Sequence, residues 1–398
     1  MTRFHIRALT AAVCGLMTAA TAHAADPALA AKLNVRTAIK PNLATTRALL
    51  QAAPRKALPA FVFEGALLGG ATADMTGWTV ISATATKGGA SVIETPTGDQ
   101  ILTTGGDGAL YGADFSPLSP ALIPSSAWQQ ITDPGTFRTE PHCVQTYNFN
   151  ETDQTPGDYE VFCLSTSKTG DALLGIFQHF ADYGYAAGVS VQDMGSHKAS
   201  GSPAFLSGIQ FEGEHDDGTR AGTLRYPFLT GTFDKSGARL FTAKVPLAFD
   251  VGSTGWLTQL PLTVNWNAGP GTFSGAPGCT DLLCGVAAGD AVRLFSNYGM
   301  NLTDTGSLSK PLPGGLSGEI GMVKTKKGKT IIVARAKSGQ VYQTVFYNKA
   351  FTAWKSEGGW MSAQTQPSCV AVNEQATCVI QGGDGKLYAK QLSSSGAM

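Results

Sequence analysis

The sequence predicts an all-β fold, a six-bladed β-propeller of four-stranded antiparallel blades, and three observations carry that prediction. One phrase, strand, turn, strand, glycine turn, strand, recurs six times along the chain. The composition is that of a turn-rich globular protein, and no alternation of strands with crossover-length helices is visible, which argues against a doubly wound sheet. Of 398 residues, 48 are glycine and 15% are charged, with 29 Lys+Arg against 29 Asp+Glu. Glycine exceeds its usual ~7% and charge falls short of the usual ~25%. A neutral chain without clustered Lys and Arg is not built for the phosphate backbone of nucleic acid. Its normal apolar content, 43%, also excludes intrinsic disorder.

Residues 1–24 read as a signal peptide. Arg3 and Arg7 precede a short apolar run, and Ala22-His23-Ala24 offers a small-x-small cleavage site. The expected location is therefore secreted or periplasmic. No later stretch approaches ~18 uninterrupted apolar residues, so the mature chain is not expected to be embedded in a membrane. Residues 25–75 contain NLATTRALLQAAPRKALPA, helical in pattern and then broken by proline. They are expected to form an N-terminal arm, although a seventh blade could come only from here.

The propeller is expected over residues 76–398. Its turn glycines stand at 108, 170, 237, 289, 339 and 385, one supersecondary unit with loops of variable length. Each is followed by an apolar or aromatic doublet such as Leu110-Tyr111, Val341-Tyr342 or Leu387-Tyr388. Asp-Gly and Ser-Gly supply the positive φ that tight turns require. Trp-bearing segments at Trp128, Trp256 and Trp354 suggest fourth strands. The chain ends after the third strand of the sixth unit, while Trp78-Thr79-Val80-Ile81 stands before the first unit as a fourth strand without a blade. It is expected to complete the last blade and close the ring, removing two exposed sheet edges.

Six cysteines follow the signal segment, in three close pairs: Cys143 and Cys163, Cys279 and Cys284, Cys369 and Cys378. No C-x-x-C zinc spacing is present, and an oxidising compartment favours local disulfides. The four residues between Cys279 and Cys284 make little more than a turn, so that blade is expected to be truncated.

Enzyme motifs are absent: there is no G-x-S-x-G, H-E-x-x-H or phosphate loop, and His142, His179, His197 and His215 have no recognisable partner. The acidic hairpins Glu212–Asp217 and Asn150–Asp158 read as solvated insertions rather than calcium loops. Glu94, Glu319 and Glu374 recur near first strands, a repetition that points to structure. TFDKSGARLF at Thr232–Phe241 matches a sialidase-type turn poorly. No catalytic residue, metal or cofactor is assigned.

The segment Trp354–Leu392, with Gly358-Gly359, Pro367-Ser368, Val379-Ile380 and GGDGKLY at Gly382–Tyr388, resembles one repeat of the tectonin-like and Photorhabdus-lectin-like propellers. GGDGALY at Gly105–Tyr111 is the next best copy, and most other units have lost the Trp-Gly-Gly segment. The resemblance implies a non-catalytic lectin whose partner is a glycan or cell-surface polysaccharide. Sugar rings stack on aromatic faces flanked by a few directional polar groups, which selects Tyr111, Asp107, Trp128, Trp360, Asp384 and Tyr388 as candidate ligand-binding residues. Blade packing and turn chemistry compete for the same residues. Two other readings stay open: a propeller glycoside hydrolase or polysaccharide lyase, and an envelope scaffold for protein interactions. Facing buried carboxylates in a central channel would favour the enzyme, and aromatic pockets between blades the lectin.

Overall fold

The structure is a computed structural model that describes residues 75–82, 84–95, 98–117, 122, 124–148, 159–166, 171–180, 184–185, 190–198, 210–214, 219–224, 241–250, 265–268, 273–280, 283–298, 301–363 and 365–394. The signal segment and the arm up to residue 74 lie outside them, as do Trp256 and the acidic stretch 149–158. Chain packing separates residues 1–39 from 40–398, and every sheet belongs to the second unit. Among the described residues there is no helix; 26 strands form six antiparallel sheets.

A short strand, β1 (Thr79–Val80), comes first. Sheet one holds β2 (Thr86–Thr95), β3 (Gly98–Gly105), β4 (Leu110–Phe115) and β5 (Gln129–Gln130). Sheet two holds β6 (His142–Asn148), β7 (Tyr159–Thr166), β8 (Asp171–Phe180), β9 (Gly184–Tyr185) and β10 (Ser190–Lys198), with β9 and β10 both on β8. Sheet three holds β11 (Gln210–Glu214), β12 (Thr219–Leu224), β13 (Phe241–Asp250) and β14 (Asn265–Ala268). Sheet four holds β15 (Ser274–Cys279), β16 (Leu283–Ala288), β17 (Ala291–Tyr298) and β18 (Asn301–Leu308). Sheet five holds β19 (Leu316–Lys324), β20 (Thr330–Ala336), β21 (Gln340–Tyr347), β22 (Ala350–Phe351) and β23 (Lys355–Trp360). Sheet six holds β24 (Ser368–Val372), β25 (Gln375–Gln381) and β26 (Leu387–Ser393), and its fourth strand is β1, with Thr79 opposite Ala389 and Val80 opposite Tyr388.

Central strands read as near-continuous apolar runs because they bury both faces. Side chains alternate across a strand. In β25, Ala376, Cys378 and Ile380 therefore pack with Ile331, Val333 and Val341 of sheet five, while Val379 packs with Val92 and Ile101 of sheet one. In β20, Ile331 and Val333 face sheet six, whereas Ile332, Ala334 and Ala336 join Val292 and Leu294 of sheet four. In β3, Ile101 faces sheet six and Leu102 joins Tyr159, Val161 and Phe177 of sheet two. Sheets four, five, six, one and two thus pack face to face in that succession, and each Ile or Leu fully buried there stabilises by roughly 1.5–3 kcal/mol.

A repeated hydrogen bond fixes three of the glycine turns. The residue leaving the fourth strand donates its N–H to the turn glycine's carbonyl: Phe137 to Gly108 O at 2.9 Å, Met361 to Gly339 O at 2.8 Å and Thr86 to Gly385 O at 2.8 Å. Thr86 follows β1, so β1 occupies in sheet six the place that β5 and β23 occupy in sheets one and five. Gly108, Gly289, Gly339 and Gly385 all have positive φ, between +63° and +99°, the left-handed region that penalises a Cβ.

Two expectations are corrected. Sheet four is complete rather than truncated, because Thr280 N–H donates to Leu283 O at 2.8 Å and closes β15 onto β16 in a tight turn. Tryptophan marks the fourth strand only in part: β5 follows Trp128 and β23 follows Trp354, but β10 and β18 contain none and β14 carries Trp266. Backbone pairing does not require a Trp, so loss of the residue leaves the strand. The three disulfides, Cys143–Cys163, Cys279–Cys284 and Cys369–Cys378, each join directly opposed residues of the first hairpin in a sheet.

The first strands of sheets one, two, four, five and six meet around a common axis, where backbones approach so closely that only glycine fits at some contacts. A Cβ at Gly278 would overlap Ile320 O, and one at Gly321 would overlap Pro367 O. Two side chains fasten this junction. Glu140, 3% exposed, accepts from Gly89 N–H at 2.9 Å and from Gln366 N–H at 2.8 and 2.9 Å, tying sheets one and two to the segment entering sheet six. Gln366 Nε2 donates to Pro277 O at 2.7 Å and to Ile320 O, which adds sheets four and five. A buried carboxylate is tolerable here because backbone donors replace its water.

Candidate functional site

The two GGDG-x-LY segments fold identically. Asp107 Oδ1 accepts from Ala109 N–H at 3.0 Å and Asp384 Oδ1 from Lys386 N–H at 3.1 Å. Each aspartate's Oδ2 accepts from the tyrosine four residues on, Tyr111 at 2.8 Å and Tyr388 at 2.9 Å. Gly105 and Gly382 lie under the tyrosine rings, at a distance that leaves no room for a Cβ. Burial, then the hydrogen bond to the aspartate and its charge, raises both phenols, pushing Tyr388 up to about 12. Both tyrosines are therefore neutral hydrogen-bond donors at physiological pH.

Trp360 is placed by the sequence just before it. Gly358 and Gly359, at φ +67° and +77°, turn β23 so that the indole enters the boundary between sheets five and six. Its Nε1–H donates to Ser338 O at 2.6 Å, and its ring lies against Gly339 of one turn and Gly383 of the other, where a Cβ would overlap it. The Arg335 guanidinium carbon stands 5.8 Å from the ring centroid, within cation–π range. Arg335 is 8% exposed, and its Nε donates to Met361 O at 2.8 Å. Burial lowers its pKa, opposed by the charge of Glu319. Burial in turn raises Glu319 against the hydrogen bond from Ser317 Oγ at 2.9 Å. The result is a half-buried indole flanked by a cation, an exposed carboxylate at Asp384 and the Tyr388 hydroxyl.

The six residues selected from sequence thus divide. Trp360, Asp384 and Tyr388 come together at the sheet five and six boundary. Asp107 and Tyr111 form the equivalent turn of sheet one, with Tyr111 only 4% exposed. Trp128 is half-buried against a core cluster that includes Phe115, Leu122 and Val379. Sequence reasoning missed Arg335, whose signal was a lone charge inside the apolar strand TIIVARA.

A second feature is a cavity of about 910 Å³ on the axis, lined by the first strands of sheets one, two, four, five and six. That volume suits a small ligand, but among the described lining residues none is Phe, Tyr or Trp. Glu94 and Asp99, directly opposed across β2 and β3, line it; burial, then repulsion from Glu94, raises Asp99 to about 6. Of the other carboxylates flagged in the sequence, Glu374 accepts from Lys327 N–H at 3.0 Å and serves a turn contact. His179 is a core residue stacked on Tyr159 at 4.4 Å and lowered to about 4 chiefly by burial. The side chains of His197 and His215 lie outside the described residues. Among the described residues no three His, Cys, Asp or Glu side chains gather as a metal-ligand group, and no helix is long and apolar enough to cross a membrane.

No protein-family model matches the chain, and no curated protein does. Among solved structures it is similar to a fungal lectin from Aleuria aurantia, described as a six-bladed β-propeller with a novel fucose recognition mode, at TM-score 0.47 and 12% identity over 81% of this chain and 94% of that one. It is also similar to AofleA from Arthrobotrys oligospora, at TM-score 0.45 and 9% identity over 80% and 85%. A GH43_1 enzyme from Xanthomonas citri is similar at TM-score 0.37 and 10% identity over 79% and 89%.

Proposed function

We propose that this chain is a secreted, non-catalytic carbohydrate-binding protein with a six-bladed β-propeller fold, its ring closed by β1 on β26. Six antiparallel sheets, five of them with first strands lining one cavity and sheet six packed against sheet one, support the propeller. The signal-like N-terminus and three disulfides support export. The observation that carries the function is the Trp360 cluster: an aromatic face between two sheets, with Arg335, Asp384 and Tyr388 as directional polar groups, is the chemistry a sugar ring requires. The mature protein on a glycan array is expected to retain sugars, and Trp360→Ala to lose them. Retention of no sugar at millimolar concentration, with turnover of a polysaccharide instead, overturns this reading.

One observation favours hydrolysis as a second reading. Glu94 and Asp99 line the axial cavity as cross-strand neighbours, and Asp99 is held near neutrality as an acid is in paired-carboxylate glycosidases. Release of reducing ends from polysaccharide that is lost in both Glu94→Gln and Asp99→Asn would establish it. No release from any polysaccharide removes it.

A further inference from the structure

Neutrality of the whole chain conceals a local imbalance. Sheet five and its turns, residues 316–361, carry seven Lys and one Arg against two Glu and no Asp, whereas sheet one, residues 86–130, carries one Lys against one Glu and three Asp. The expectation of a chain without clustered lysines is thereby corrected for sheet five. Four of its lysines, Lys324, Lys326, Lys327 and Lys329, stand within six residues at the tip of the hairpin joining β19 to β20. Lys324, Lys326 and Lys327 are exposed and Lys329 half-buried. The tip is held in place: Thr325 N–H donates to Lys329 O at 2.8 Å, and Gly328 N–H donates to Thr325 O at 2.9 Å. Sheet six then fastens it, with Lys326 N–H donating to Asn373 O at 3.3 Å and Lys327 N–H to Glu374 Oε1 at 3.0 Å. The other Glu374 oxygen accepts from Thr325 Oγ1 at 3.4 Å, so this carboxylate faces a backbone N–H and a hydroxyl. The ion pairs of the neighbouring surface belong to other residues, Lys337 with Asp290, and Lys355 and Lys390 with Glu357. Among the described residues no carboxylate forms an ion pair with the four hairpin lysines.

Fixed, exposed cations of one sign call for an anion, and their setting narrows which. A single carboxylate on an exposed ammonium is held weakly, because water and salt screen the pair. A chain that bears several carboxylates gains from engaging the lysines together, each contact raising the effective concentration for the next. A bilayer is a poorer fit, since surface binding there draws on apolar side chains as well as charge. The tip has none, and the exposed large apolar side chains among the described residues, Val80 and Leu308, lie on sheets six and four. Four cations on one turn are also too few for the many phosphate contacts that hold a nucleic-acid duplex. The Trp360 cluster stands at the opposite end of β20, a strand of 7 residues and therefore roughly 23 Å away at the usual rise. We propose that the β19–β20 hairpin is a second binding site, distinct from the Trp360 cluster, whose four lysines pair with the carboxylate groups of an acidic polysaccharide. The polyanion follows from the hairpin; that its carrier is a polysaccharide rests on the carbohydrate reading above.

The test is titration of the full mature chain, and of its Trp360→Ala variant, against immobilised polygalacturonate and against the methyl ester of the same polymer, which keeps the hydroxyls and loses the charge. Polygalacturonate is expected to retain both proteins, with affinity falling about tenfold or more as salt rises from roughly 0.05 to 0.5 M. The methyl ester is expected to retain Trp360→Ala about tenfold less or not at all, and free galacturonate at equal carboxylate concentration to leave the bound protein in place. Lys324→Gln, Lys326→Gln, Lys327→Gln and Lys329→Gln combined should lose about tenfold or more in affinity, and the four corresponding Arg substitutions, which keep the charge, should restore it. No retention at low salt, retention indifferent to the four Gln substitutions, or equal retention of Trp360→Ala by the methyl ester overturns the proposal. Equal, lysine-dependent retention by duplex DNA or by phosphatidylglycerol vesicles also overturns it, because the hairpin would then be a general anion surface. Neutral sugars missing from the glycan array remove the Trp360 site and leave this one standing.

Discussion

The turns at Gly105–Tyr111 and Gly382–Tyr388 differ at a single position, Ala109 against Lys386, and make the same internal hydrogen bonds, yet they present different surfaces. In sheet one the connector leaving β5 lies across the turn: Gly135 N–H donates to Asp107 O at 2.8 Å, and Phe137, fully buried, locks onto Gly108. In sheet six the corresponding connector is short, Ala85 takes the place beside Gly385, and Asp384 stays exposed with Trp360 of the neighbouring sheet against Gly383. The motif therefore encodes a turn, and what packs beside the turn decides whether a ligand can reach it. Trp360 reinforces the point. It precedes the locking residue Met361 as Ala85 precedes Thr86 and Thr136 precedes Phe137, so of these three connectors only that of sheet five carries an aromatic face.

Removing the tyrosine hydroxyls should separate the two turns most clearly. Tyr111→Phe deprives a covered carboxylate of a hydrogen bond where water has poor access, at an expected cost of about 1.5–3 kcal/mol. Tyr388→Phe leaves an exposed carboxylate that water can satisfy, at less than about 1 kcal/mol. Urea denaturation of both variants measures the difference; equal losses would show that the turns are energetically equivalent and that burial does not distinguish them.

The tryptophans divide in the opposite sense. Trp360→Ala is expected to weaken glycan binding at least tenfold, about 1.4 kcal/mol, with little change in the denaturation midpoint. Trp128→Ala should lower the midpoint, because Trp128 packs against the Phe115 and Val379 cluster, and leave binding intact. Gly383→Ala should mimic Trp360→Ala in binding, since its Cβ would displace the indole. Titration of immobilised sugar against all three variants checks the pattern, and a Trp128→Ala protein that folds normally but binds nothing would place the site at sheet one instead.

What could be read from sequence follows the range of the signals. The turn glycines 108, 289, 339 and 385, the cysteine pairs and the pairing of β1 with β26 were legible because Asp-Gly turns, alternation and an unpaired strand at each end of the repeat are local or periodic features; the predicted turns at 170 and 237 lie outside the described residues. The disulfide partners stand opposite one another in single hairpins, which is why spacing sufficed. Glu140 and Gln366 left no such trace. They are 226 positions apart, neither lies in a recognisable motif, and each acts by filling the backbone hydrogen bonds of strands that meet only when the sheets assemble. Arg335 was hidden differently: its Nε reaches the carbonyl of the residue that locks the turn, Met361, as Gln381 Nε2 reaches that of Thr86, so its position reads as structural and only the Trp360 ring beside it makes it part of a site.

The smallest effect contrasts the axial rim with the sheet-two core through their titrating groups. Asp99, at about 6 in the folded protein against an ordinary 3.8, favours the fold when protonated. Its contribution is complete below about 3.8 and is lost as pH rises through 6. His179, at about 4 against 6.5, works in reverse: its neutral form suits the core, so its contribution is present above 6.5 and is lost as pH falls toward 4. Asp99→Asn should therefore leave acid stability unchanged and raise neutral stability by about 1 kcal/mol after allowance for solvent screening. Calorimetric melting between pH 4 and 7 should show the variant and parent curves meeting at the acid end and diverging above it, with the loss on the acid side that belongs to His179 remaining in both. Parallel curves would mean that neither burial nor the charge of Glu94 raises Asp99, and the hydrolytic reading would lose its one supporting observation.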